Sequence, residues 1–180
     1  MTGSSLKDLL KPYWLSISLV ALSVFFVISS LRFFEKMPVA SWGDTNTYHA
    51  MSRYALTDPN LWAGRYPMTT ALFHKICSAQ PDCIANLQIW LGSAAWIIGG
   101  LVIILLIENR ILKLMAFAVI LGLALTPNII GMNKILLSET YGNSLFLLTL
   151  AAWILAGRFL SKRPELAPWQ QIGVILSFFP

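Results

Sequence analysis

Residues 13–34 form an apolar run broken by a single charge, Arg32, and this run leaves few folds open. As a helix rising about 1.5 Å per residue, it covers the roughly 30 Å hydrocarbon core of a bilayer. In lipid the backbone has no water to bond, so an isolated spanning segment satisfies its N–H and C=O groups as a helix. A signal peptide has an apolar region of about 7–15 residues. This run is longer and lacks a convincing small-x-small cleavage site, so behind the short basic head 1–11 it reads as a retained signal anchor.

The rest of the chain agrees. Hydrophobic residues make up 57% of it and charged residues 12%, against about 45–50% and about 25% in soluble domains. The mean hydropathy is +0.68. The net charge of +5 does not point to nucleic acid, because the basic residues sit mostly in short connections between apolar runs, as membrane orientation requires. Further spans are expected at 84–107, at 111–126 (shorter, and stopped by Pro127) and at 140–157. Residues 169–180 are again apolar but reach only about 18 Å as a helix. The expected fold is an all-α membrane protein with about four transmembrane helices plus a partial fifth. Residues 1–180 form a single transmembrane domain, and a chain ending inside an apolar segment is expected to be part of a longer product.

Lys and Arg in the connections set the orientation. Lys7 and Lys11, then Arg110 and Lys113, then Arg158, Lys162 and Arg163 fall on one side, assigned as cytoplasmic. The opposite side receives a long loop, 35–83, and a short one, 127–139. Lys36, Arg53, Arg65 and Lys75 in the long loop oppose the bias, but its acids balance them.

Two amphipathic juxtamembrane helices are expected in the long loop. Asp44 suits an N-cap, with Tyr48, Met51, Ala55 and Leu56 on one face until Asp58-Pro59 ends the helix. A second opens at Pro67, with Met68, Leu72 and Ile76 on one face and Pro81 just past its end. Both are expected in the headgroup layer, apolar face down, where Trp42, Tyr48, Tyr54, Trp62 and Tyr66 suit the depth.

Several residues have two readings. Asp44 is either a general base taking a proton from an acceptor hydroxyl, or simply the cap of the helix behind it. Arg65, in Gly64-Arg65-Tyr66-Pro67, either holds a phosphate through paired hydrogen bonds or snorkels to lipid headgroups. Lys134 and Glu139 fall where the chain re-enters the membrane, an unusual place for charge. Glu139 either serves a sugar hydroxyl, a metal or a neighbouring loop residue, or favours the start of the last span through its dipole. His49 and Arg53 read as a solvated helix face, and His74-Lys75 as a headgroup contact. Cys77 and Cys83 can close a disulfide in an oxidising compartment if geometry allows it. No CxxC, HExxH, P-loop or GxGxxG pattern is present, so zinc protease, nucleotide-binding and redox functions have no support.

The order of these features resembles the N-terminal part of the polytopic GT-C glycosyltransferases, which include protein-mannosyl and lipid A aminoarabinose transferases. A short cytoplasmic head and one span lead into a large outward loop. An acid followed by a tyrosine, Asp44-Thr45-Asn46-Thr47-Tyr48, is followed by the Arg65-Tyr66-Pro67 segment and, later, by Leu137-Ser138-Glu139 before a long apolar helix. The resemblance covers nearly the whole chain, and order and topology carry it, since each motif is short. It implies inverting transfer of a sugar from a polyprenyl-phosphate donor to a glycan, lipid or protein acceptor on the non-cytoplasmic face of a bacterial inner membrane. Asp44 matches the family's base. Tyr48, Arg65, Tyr66, Lys134 and Glu139 are the expected substrate-binding residues. Where many members carry a second acid this chain has Thr45, which weakens a paired-carboxylate metal site; a divalent metal stays open and no other cofactor is implied. The family's additional spans and soluble C-terminal domain are absent from these residues.

The chemistry is coherent without the resemblance. Outside the cytoplasm there is no nucleotide-sugar pool, so an activated sugar arrives on a lipid. A phosphate leaving group needs charge stabilisation, which suits Arg65, Lys134 or a metal, and one base then suffices where glycoside hydrolysis generally uses two carboxylates. The competing expectations are a non-catalytic membrane subunit that binds polyprenyl-phosphate lipids and, more weakly, a transporter segment. The spans lack the buried charges and paired broken helices of transport sites.

Overall fold

A computed structural model describes residues 13–41, 43–62, 66–136 and 138–162. Among them the chain is all-helical, with helices α1 (Trp14–Glu35), α2 (Thr45–Met51), α3 (Pro59–Trp62), α4 (Met68–Ile76), α5 (Pro81–Ile104), α6 (Arg110–Ala124), α7 (Pro127–Met132) and α8 (Ser138–Ser161). Three of these are long and apolar enough to cross a membrane: α1, α5 and α8 from Glu139 on. The helix expected at 111–126 forms as α6, but its 15 residues reach about 22 Å, short of a hydrocarbon core of about 30 Å. The apolar segment 169–180 lies outside the described residues.

The start of α5 lies a turn earlier than its apolar run suggests. Pro81 occupies the first turn and Asp82 follows it; proline's fixed φ suits that position and its missing N–H has no helical partner there anyway. Asn109 opens α6, its Oδ1 accepting from the Ile111 and Leu112 amides at 2.9 and 3.2 Å. Pro127 then begins α7 instead of only ending the helix before it.

The central helix is α5, which packs against α1, α6 and most extensively α8. Small residues make this possible, since without a hydrophobic drive between helices in lipid, close van der Waals approach must hold them. A Cβ on Gly100 would stand 3.0 Å from the Phe117 ring of α6. By contrast, α1 buries only Phe26, Ser30 and Phe34 and leaves Ile17, Val20, Val24, Phe25 and Ile28 exposed, a surface suited to lipid.

The long loop departs from expectation in two ways. First, α2 stops at Met51, and Ala55 and Leu56 do not continue its buried face but lie exposed. Just beyond this end Lys75 Nζ donates to the carbonyls of Ser52 and Tyr54 at 3.0 and 2.7 Å, so Lys75, expected at the headgroups, ties the end of α2 to α4. Second, α4 turns Thr70, Ala71 and His74 inward, while Ile76 is 73% exposed. Met51, Leu61 and Ala71 form a small core there, with Tyr66 and Leu72 against it. Helix-on-helix packing, rather than a simple apolar stripe, selects the face of α4.

Candidate functional site

The two loops meet at one end of the bundle. The Ala40 amide donates to the Lys134 carbonyl at 2.9 Å, and the Leu136 amide donates to the Ala40 carbonyl at 3.1 Å. Ala40 and Ile135 thus form an isolated parallel bridge. Thr45 Oγ1 adds a bond to the Leu136 carbonyl at 3.0 Å, and Gln88 Nε2, from α5, reaches the Ile135 carbonyl at 3.4 Å. The segment entering α2 and the segment entering α8 are therefore held side by side, over the start of α5.

Asp44 sits on this junction. It occupies the N-cap position of α2, yet its side chain makes no capping hydrogen bond, and it is exposed. The cap reading thus holds for position but not for bonding. Gly43 before it has φ +38°, a left-handed conformation that glycine adopts without a Cβ clash.

The other expected site residues are distributed differently. Tyr48 is 1% exposed, its ring edge-on to Tyr66 at 5.8 Å and tilted against His74 at 6.0 Å, so it belongs to the packing between α2 and α4. Tyr66 is half-buried. Lys134 is buried and places Nζ 3.7 Å from the Phe34 ring centroid, where the ring face attracts the ammonium. Glu139 is exposed in the first turn of α8. Arg65 lies outside the described residues. The bridge thus brings the Asp44 and Lys134 segments together, with Glu139 just beyond.

A cavity of about 260 Å³ opens beside Asp44, lined by Ser41, Thr45, Asn46, His49, His74, Ala79, Pro81, Ile84 and Leu136. Both histidines of the chain line it. His49 meets Arg53 at 3.2 Å, as the helical spacing allows. His74 is 1% exposed and neither ring nitrogen has a hydrogen-bond partner among the described residues. Burial, and secondarily the nearby His49, hold its pKa below the ordinary value of 6.5, so the ring is neutral at pH 7. Among the described residues no three His, Cys, Asp or Glu side chains gather to hold a metal ion.

One wall of this cavity is set by a disulfide. Cys77, just after α4, is bonded to Cys83 in the first turn of α5, with Cα atoms 5.6 Å apart. Between them Ser78 and Ala79 take φ +48° and +57°. The Ala79 amide donates to the His74 carbonyl and the Ser78 amide to that of Lys75, at 2.7 and 3.0 Å, closing α4 with a Schellman motif. The cavity residues Thr45, Asn46 and His74 were not singled out as site residues by the sequence. The only signal for Thr45 and Asn46 was their place with His49 on one α2 face, four residues apart at most, and His74 was read as a headgroup contact.

In comparisons with known proteins, the chain matches no family model, no curated protein and no solved structure.

Proposed function

We propose that this chain is a membrane glycosyltransferase of the GT-C type, or part of one, that takes its sugar from a polyprenyl-phosphate donor. The observation that supports it is the Ala40–Ile135 bridge, which sets an uncapped carboxylate, Asp44, beside the segment carrying Lys134 and leading to Glu139. A base for the acceptor and groups for a phosphate-bearing donor belong within reach of one another, and a bridge between otherwise separate loops serves that need.

In the proposed step the acceptor hydroxyl attacks the anomeric carbon from the face opposite the phosphate. The new glycosidic C–O bond forms as the sugar–phosphate C–O bond breaks. Polyprenyl phosphate leaves with the electron pair, the hydroxyl proton passes to Asp44, and the anomeric centre inverts. Arg65 and Lys134 are assigned to the phosphate charge, and Glu139 and Tyr66 to positioning the substrate, while Tyr48, expected to bind substrate, instead packs α2 against α4.

In this reading α6 counts as a fourth, short span, 169–180 begins a fifth, and the loop end faces outward from a bacterial inner membrane with the N-terminus cytoplasmic. The acceptor is a glycan, lipid or protein.

The test is transfer of labelled sugar from a panel of polyprenyl-phosphate donors in membranes. Asp44→Asn should abolish transfer while membrane abundance is unchanged. Full activity in that variant removes Asp44 from the mechanism. No transfer by the native protein across the panel favours the lipid-binding subunit instead.

A further inference from the structure

We infer that the cavity between α2, α4 and the start of α5 binds a neutral, hydroxyl-bearing ligand, a single sugar ring, through His74. This deepens the glycosyltransferase reading by giving the sugar a place beside Asp44, and it rests on that reading for the ligand's biological source.

A buried polar group without a partner is costly, by about 1–3 kcal/mol. His74 lines the cavity and both of its ring nitrogens are such atoms, and no described protein group relieves either. A neutral imidazole is one donor and one acceptor. A hydroxyl group can serve either nitrogen, because it donates and accepts. Inorganic phosphate brings negative charge at pH 7, and no lysine or arginine among the described lining residues offsets it.

The rest of the lining fits a polyol. Ser41, Thr45 and Asn46 supply uncharged hydrogen-bonding groups, while Pro81, Ile84 and Leu136 form an apolar side for a ring's C–H face. Among the described lining residues there is no carboxylate, lysine or arginine, so none of them selects a charged ligand. At about 30 Å³ per water the space holds several waters or one ring-sized molecule.

Since the chain has two histidines, ¹⁵N-histidine labelling gives a two-residue spectrum. The full chain in lipid nanodiscs is titrated with glucose, mannose and galactose, and in parallel with inorganic phosphate. The inference expects saturable ¹⁵N shifts at His74 with at least one sugar and not with phosphate. His74→Phe should weaken that sugar's binding about tenfold, the size of one lost neutral hydrogen bond. Asn46→Ala, an exposed position on α2, should weaken it in the same direction and serves if His74→Phe does not fold. Saturation by phosphate alone, or no shift at His74 with any sugar, overturns the inference.

Asp44→Asn separates this inference from the proposed function. Asp44 does not line the cavity, so the variant should keep sugar binding while losing transfer. Sugar binding with full transfer in Asp44→Asn leaves the cavity assignment standing and removes the base. Transfer that depends on Asp44, with His74 silent to every sugar, does the reverse.

Discussion

Ala40 and Ile135, far apart in sequence, are paired by two backbone hydrogen bonds of 2.9 and 3.1 Å through Lys134 and Leu136. This short bridge is the joint between the two loops at one end of the bundle. Its interruption should separate them. Ala40→Pro removes the amide donor, at a cost of about 1–3 kcal/mol. The expected result is a lower melting temperature in detergent, together with new protease sensitivity around 127–139. An unchanged proteolytic pattern would show that Thr45 and Gln88 hold the loops by themselves.

Gly100 faces the Phe117 ring, where an added Cβ would stand 3.0 Å away and 3.3 Å from Ile120. Gly100→Val should push α6 away from α5, at about 1–3 kcal/mol of overpacking. Gly122, with nothing within 4 Å of an added Cβ, is the control, and Gly122→Ala should leave stability unchanged or slightly raised. Thermal unfolding of both variants in the same detergent makes the comparison.

The Cys77–Cys83 disulfide closes a loop of seven residues, both cysteines included. Chain-entropy arguments put the stabilisation from so short a loop at about 2 kcal/mol. Cys77→Ser with Cys83→Ser should lower the melting temperature accordingly and loosen the cavity wall formed by Ala79 and Pro81. Non-reducing mass spectrometry of the native chain should show the crosslink, and a reduced pair with unchanged stability would refute its structural role.

His74 gives stability a pH dependence of known sign. Its pKa is lowered in the folded state, so below the ordinary value of 6.5 the unfolded chain binds the proton more readily. Stability is therefore complete above about pH 6.5 and declines as pH falls through that value toward the folded-state pKa. His74→Phe should flatten this acid limb. Denaturation midpoints of both forms from pH 7.5 to about pH 5 check it, and parallel curves would assign the slope to another group.

Much of the architecture could be read from the chain because its causes are local. Apolar runs with few charges dictate helices in lipid, and α1, α5 and α8 appear where such runs lie. Pro67 marks the start of α4 for the same local reason, whereas Pro81, expected only to follow α4, also opens α5; the cysteine spacing anticipated a closable bridge. Helix limits were less legible where distant groups meet them. Past the end of α2, Lys75 of α4 donates to the Ser52 and Tyr54 carbonyls, a contact no spacing within α2 reveals.

The candidate site divides along the same line. Asp44 was visible as an acid at a helix start, and it does lie at the N-cap position of α2. Whether its side chain caps that helix depends on rotamer and surroundings, and the structure leaves the carboxylate without a capping bond. Tyr48 looks like a surface aromatic in sequence but is buried by Tyr66 and His74. His74 looks like a headgroup ligand but is buried in a cavity wall, since α4 packs a mixed polar and apolar face onto α2.

The sequence by itself determined that the long apolar segments are helices, because hydrophobic length and backbone hydrogen bonding are properties of single segments, although it also counted 111–126 as a span where α6 is too short to cross. Only the tertiary structure decided which loop residues meet. The Ala40–Ile135 pairing, the inward face of α4 and the cavity around both histidines each depend on contacts between distant segments, and no local pattern encodes the partner.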